Sequence, residues 1–333
     1  MAQLGRRALL QAGAAMLGGA MLPASARAQE NPGRRTYEFV VKDIVYQRGS
    51  GKPRLARLYQ PAGTGPFPAV LQVHGGAWNN KDRTDGQNTA LDLAAAGIVV
   101  LSIDFRNAPE APYPASLQDI NYGIRWLKSQ AERLGTLPEM VCTFGISSGG
   151  HQAMLLGMRP QDSRYSSIQL PSDGSAVDAS VRGVIMGAPV IDPLGRYRYA
   201  RQLKESGKPY PEFVDLVLPL HDKYWKTEEA MAEGNPVQAL ERGELVALPP
   251  VLYIQDSRDI VHPRVQLERF VELYRNAGGQ VDLELSEGAA DAFVARNPPP
   301  ALGHMNENRD PSSPTSSRVI EKMVSFVRAH TRS

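Results

Sequence analysis

Cysteine is almost absent from this chain: Cys142 is the only one in 333 residues, so no disulfide can close within it. It lies in Met140-Val141-Cys142-Thr143-Phe144, an apolar run of strand length, where a lone thiol serves as a small core hydrophobe. Histidine is scarce too, with six residues, and no histidine or cysteine cluster has the spacing of metal ligands. Neither sign of charge dominates. The 37 Lys and Arg against 35 Asp and Glu leave a formal charge of +2, which gives no reason to expect nucleic acid or an acidic partner. After the N-terminal region no segment is apolar for long enough to span a bilayer. There is no internal repeat.

What is present begins with a leader-like segment. Arg6-Arg7 is followed by the small-residue apolar stretch Ala12 to Leu22, and Ala26-Arg27-Ala28 offers an A-x-A cleavage site before Gln29. The order is that of a twin-arginine export signal over residues 1–28, which places the mature domain, 29–333, in the periplasm or outside the cell and free of the membrane.

Beyond it, strand-like and helix-like stretches alternate. Strands are expected at 67–73, 97–105, 141–145, 181–186, 251–255 and 281–285. Helices are expected at 86–96, 116–134, 149–156, 263–277 and 318–330. Residues 36–58 read as an antiparallel entry. The alternation predicts an α/β fold with a doubly wound, mainly parallel sheet and helices on both faces. Residues 159–180 read as a polar surface loop and 295–317 as a proline- and serine-rich one. The insertion at about 192–246, with Tyr197, Tyr199, Tyr210, Phe213, Tyr224 and Trp225 among its charges, reads as a partly helical cap. Its aromatics point to an apolar or aromatic substrate group, or simply to packing.

Two glycine motifs carry chemistry. Gly145-Ile146-Ser147-Ser148-Gly149 between a strand and a helix has the form of a nucleophile elbow, which lifts the Ser147 hydroxyl out of a tight turn. His74-Gly75-Gly76-Ala77-Trp78 follows a strand, and its backbone N–H groups can face an acyl oxygen. Gly76 and Ala77, with the N–H of Ser148, are the candidate oxyanion donors. His74 is expected to fix the loop rather than to act as a base.

These motifs, with Asp104-Phe-Arg-Asn-Ala-Pro-Glu110 and Pro114-Ala-Ser-Leu-Gln-Asp119 between them, resemble the esterase/lipase branch of the α/β-hydrolase family. The likeness is nearest to small bacterial esterases of the feruloyl-esterase-like and kynurenine-formamidase-like type, and spans roughly residues 36–293. It implies a Ser–acid–His triad in that chain order and hydrolysis of a carboxylic ester or related acyl bond; the favoured substrate is a small neutral acyl ester, and no cofactor or metal is expected. The acid falls on Asp259, in Asp259-Ile-Val after the strand 251–255. Asp256, where the family has glycine, is a reserve acid or a turn cap. The base is harder to assign. His262 stands only three residues past Asp259, too near for the family's layout, and Asp291 occupies the place where the family carries histidine. The base is then His304, in the proline-rich loop, or Asp291, or absent. An absent base makes this a binding-only or impaired homologue. An amidase or arylformamidase-like hydrolase is the remaining alternative. Sequence leaves the oligomeric state open.

Overall fold

The computed structural model describes residues 36–48, 51–171, 177–289, 293 and 314–332. In chain order the strands are β1 (Phe39–Gln47), β2 (Arg54–Pro61), β3 (Ala69–Val73), β4 (Val99–Ile103), β5 (Val141–Ile146), β6 (Val184–Gly187), β7 (Val251–Gln255) and β8 (Val281–Leu285). The helices are α1 (Gln87–Ala95), α2 (Ala115–Ser129), α3 (Ala131–Leu134), α4 (Ser148–Met158), α5 (Pro193–Glu205), α6 (Phe213–Trp225), α7 (Glu228–Glu233), α8 (Pro236–Glu241), α9 (Arg264–Asn276) and α10 (Pro314–His330). Two boundaries differ from expectation. The stretch 116–134 is two helices, broken at Gln130, whose backbone leaves the helical region. The last helix starts at Pro314, earlier than the expected 318, as proline's missing N–H is tolerated in a first turn.

The strands form one sheet in the order β1-β2-β4-β3-β5-β6-β7-β8. β1 pairs antiparallel with β2, and β2 with β4, while the pairs from β4 onward are parallel. This is the α/β-hydrolase fold. Pleating explains how each strand serves two cores. Leu71, Leu101 and Val73 face α2, through Leu117, Ile120 and Ile124. Val70, Val100, Cys142 and Phe144 face the other way, against Ala90 and Leu93 of α1 and Val319 and Met323 of α10. Burial of the Cys142 thiol in that second core pushes its pKa up to about 12, so it is an inert packing group.

The chain reverses direction of winding between β3 and β5, which lie side by side with Val73 opposite Gly145. Loops leaving the carboxyl ends of neighbouring strands diverge at such a point and open a crevice. The loops bearing His74 and Ser147 leave from there, and the loop bearing Asp259 leaves β7, two strands beyond β5. Helices α5 to α8 lie between β6 and β7, in the stretch read from sequence as a cap. Most cap aromatics prove to be packing groups: Tyr224 stacks on Trp78 with ring centroids 5.2 Å apart, Trp225 meets Trp78 edge-on at 5.4 Å, and Phe213 is buried with Val214 and Val217.

The segment from Asp104 to Asp119 ties the sheet to these loops. Asp119 is 1% exposed and accepts from the Arg106 backbone N–H at 2.8 Å, from Arg106 Nε at 2.9 Å and from Gln47 Nε2 at 3.2 Å, with Arg54 Nε also at 3.2 Å. Phe105, held between these anchors, stacks on the His74 ring at 3.9 Å. Removing one partner of a buried charge cluster leaves the others desolvated and unpaired. Asp119→Ala is therefore expected to lower the unfolding free energy by about 3–5 kcal/mol, read as an earlier urea midpoint; a shift below about 1 kcal/mol would show that the cluster is solvated.

Candidate active site

Ser147 sits between β5 and α4 with φ 53° and ψ −118°, a conformation rare for a residue with a side chain. Three backbone bonds hold it there. Its N–H donates to Gly187 O at 2.8 Å, and its carbonyl accepts from Val190 N at 3.1 Å and His151 N at 3.2 Å. The turn closes only because its flanks lack side chains. A Cβ on Gly145 would run into the Gly149 carbonyl, and one on Gly149 into the carbonyls of Val73 and His74. The two glycines thus allow β3, β5 and α4 to meet, and the strain at Ser147 is carried by a fully packed neighbourhood.

The imidazole beside Ser147 is that of His262, with Nε2 3.3 Å from the serine Oγ. This corrects the exclusion of His262 as too near Asp259. The Asp259 side chain turns the chain back on itself: Oδ1 accepts from Val261 N at 2.8 Å and from His262 N at 3.1 Å, and Oδ2 accepts from His262 Nδ1 at 2.8 Å. Aspartate favours such turns because its short side chain reaches the backbone two residues on. One carboxylate thereby folds the loop with one oxygen and orients the ring with the other. Gln255 Nε2, at the end of β7, donates to the His262 carbonyl at 2.8 Å and fixes the loop to the sheet. His304 and Asp291, the two bases considered from sequence, lie outside the described residues.

A carboxylate only accepts, so His262 Nδ1 carries the proton and Nε2 presents its lone pair to the serine hydroxyl. Burial works to raise the pKa of Asp259. The charge and hydrogen bond of His262 and the two backbone N–H groups outweigh it and hold the carboxyl down at about 2. Asp259 therefore stays ionised through the neutral range. Asp256 proves to be a turn cap: its oxygens take Arg258 N at 2.8 Å and Gly288 N at 2.9 Å.

The oxyanion candidates are brought to the same turn. Gly76, Ala77 and Trp78 have φ of 96°, 50° and 64°, a run of left-handed residues that rolls the loop over the serine. Trp78 N donates to Ser148 Oγ at 3.2 Å, locking the loop to the start of α4. The N–H groups of Gly76, Ala77 and Ser148 have no acceptor among the described residues, which leaves them available to an oxyanion. His74 is spent on structure, as expected: Nδ1 donates to Gly75 O at 2.9 Å, and burial lowers its pKa.

His151, four residues past Ser147 on the nucleophile helix, joins three parts of the site. Trp78 Nε1 can only donate, so His151 Nδ1 accepts from it at 3.3 Å, and Nε2–H donates to Gly234 O of the cap at 2.7 Å. Burial depresses its pKa to about 4, and the neutral tautomer is the one that makes both bonds. Among the described residues no group of His, Cys, Asp and Glu could hold a metal ion, and no helix is long and apolar enough to cross a membrane.

Between about pH 6.5 and 4 the unfolded chain binds a proton at residue 151 that the folded chain refuses, so folding stability falls as pH falls through that window. His74 and His221, depressed by burial as well, add to the slope. Denaturant titrations at a series of pH values should show the loss in the parent and a shallower loss in His151→Gln; equal slopes would contradict a neutral buried imidazole.

Several known proteins share this architecture. The BD-FAE family model matches residues 57–272. The esterase LipC of Mycobacterium tuberculosis is 30% identical over 213 residues, 64% of this chain and 49% of LipC. The probable carboxylic ester hydrolase LipM of the same organism is 28% identical over 224 residues, covering 65% of this chain and 47% of LipM. The chain thus spans about half the length of these relatives. Among solved structures, esterase B from Lactobacillus rhamnosis superposes with TM-score 0.65 at 20% identity, over 91% of this chain and 88% of that one. Esterase LipW from Mycobacterium marinum gives 0.64 at 21%, over 89% and 83%. With its sheet order, its elbow and a family match over most of the described domain, the chain belongs to the BD-FAE family of α/β-hydrolases.

Proposed function

We propose that this protein is a serine carboxylic ester hydrolase that works through an acyl-enzyme at Ser147. One observation carries the reading: Ser147 Oγ, His262 and Asp259 stand in hydrogen-bonded sequence beside three N–H groups that have no acceptor among the described residues. His262 Nε2 takes the hydroxyl proton as Ser147 attacks the ester carbonyl, then returns it to the leaving alcohol. Asp259 holds the tautomer and stabilises the imidazolium. Gly76, Ala77 and Ser148 donate to the tetrahedral oxyanion, and the N-terminus of α4 favours the charge there. Water, activated by the same imidazole, releases the acid. The names of relatives such as LipC and LipM support ester chemistry over the amidase and binding-only alternatives. The twin-arginine segment supports export, which puts the activity in the periplasm or outside the cell.

Hydrolysis of a short p-nitrophenyl ester tests the assignment. Ser147→Ala should abolish turnover. His262→Ala and Asp259→Asn should each lower kcat by about 10³–10⁴-fold or more, and His304→Ala should retain it. Loss in His304→Ala with activity kept in His262→Ala would return the base to the proline-rich loop. No turnover in the parent would sink the enzyme reading.

A further inference from the structure

We propose that Arg196, on cap helix α5, receives a carboxylate carried by the substrate, so that the esters this site is built for are acidic rather than neutral. The inference rests on the reading of Ser147 as an esterase nucleophile and names the class of ester.

Arg196 is 2% exposed, yet its Nε and Nη2 have no hydrogen-bond partner among the described residues. A guanidinium carries its charge on five fixed N–H donors, and burying it without an acceptor is strongly disfavoured. Surface charge pairs abound in this chain, so a salt bridge here was available and was not made. Asp192, four residues earlier, accepts at Oδ1 from Gly195 N at 2.8 Å and from Asn235 Nδ2 at 2.6 Å and caps the helix instead. Asp259 is the carboxylate whose field reaches Arg196, but its oxygens are taken by Val261 N, His262 N and His262 Nδ1. His221 and His151, the other titratable groups near it, are held neutral by burial, with the positive charge of Arg196 adding to the effect.

Its place ties this cation to the reacting centre. The chain enters α5 from Val190, whose N–H holds the Ser147 carbonyl at 3.1 Å. The guanidinium carbon lies 5.9 Å from the ring centroid of Trp78, the residue that locks the oxyanion loop to Ser148. Arg196 therefore packs against the tryptophan of the oxyanion loop and lies within the field of the triad acid. Burial brings its pKa down to about 9, which leaves it charged at neutral pH. A planar fork of this kind matches a carboxylate with two parallel hydrogen bonds. A bound carboxylate supplies both the missing acceptors and the missing counter-charge.

The test compares matched pairs of esters. p-Nitrophenyl hydrogen adipate against p-nitrophenyl hexanoate places the carboxylate on the acyl side; 4-carboxyphenyl hexanoate against phenyl hexanoate places it on the alcohol side. The parent should prefer one acidic ester over its neutral partner by about tenfold or more in kcat/KM. Arg196→Met should reduce that ratio by about the same factor, and Arg196→Lys should keep part of it. A ratio near one for both pairs in the parent, as expected if buried water or an inorganic anion satisfies Arg196, would overturn the inference whatever the variants do. An unchanged ratio in Arg196→Met would overturn it too. If Arg196→Met does not fold, the parent ratio and Arg196→Lys decide. Turnover of none of these esters would remove the hydrolase reading and the inference with it; turnover without preference would remove the inference alone.

Discussion

The site depends on one carboxylate doing two things. Asp259 Oδ1 binds two backbone N–H groups and so makes the turn that leads into α9, while Oδ2 binds the imidazole that the turn has just delivered. The geometry of the loop and the orientation of the base are therefore one interaction. A triad usually draws acid and base from separate loops, each placed by its own packing. Here three residues of spacing suffice because the aspartate folds its own successor loop, and Gln255 then pins the result to the end of β7. Val261 packs against the cap cluster of Phe213 and Val217, so the cap also bears on this turn.

The second constraint is the strained elbow. Ser147 keeps its conformation because Gly145 and Gly149 let three elements meet and because His151, on the same helix, is bonded at both ring nitrogens. Through His151 the nucleophile helix, the oxyanion loop and the cap form a single polar chain, Trp78 to His151 to Gly234. Such a chain is rigid only while fully bonded, which ties site geometry to the neutral state of a buried histidine.

The fold was largely legible in the sequence because its signals are local: strand-length apolar runs, helical spacing, glycines at the elbow and after β3. Ser147, Gly76, Ala77 and Ser148 were singled out for the same reason, since backbone chemistry at a turn demands particular residue types at fixed offsets, whereas Asp259 was singled out through the family resemblance. His262 was visible but discarded, because a family layout places the base after the last strand. The physical cue was present in Asp259-Ile-Val-His262: an aspartate that can cap its own turn, with proline at 263 opening a helix. Arg196 left no cue at all, and His151 none beyond its place four residues past Ser147 on the same helix. Their significance lies in burial and in what they do not touch or touch across the chain, and neither property is encoded at a fixed spacing. The cap aromatics mark the opposite limit, since Tyr224 and Trp225 read equally well as lining or as core and proved to be core.

The central claim is that the Asp259–His262 turn activates Ser147. The most direct measurement is the second-order rate at which a fluorophosphonate labels the protein, with the modified residue located by mass spectrometry. The account predicts a single adduct on Ser147 in the parent and labelling slowed by about two orders of magnitude or more in a folded His262→Gln protein. Equal labelling rates in the two, or an adduct elsewhere in the chain, would contradict it.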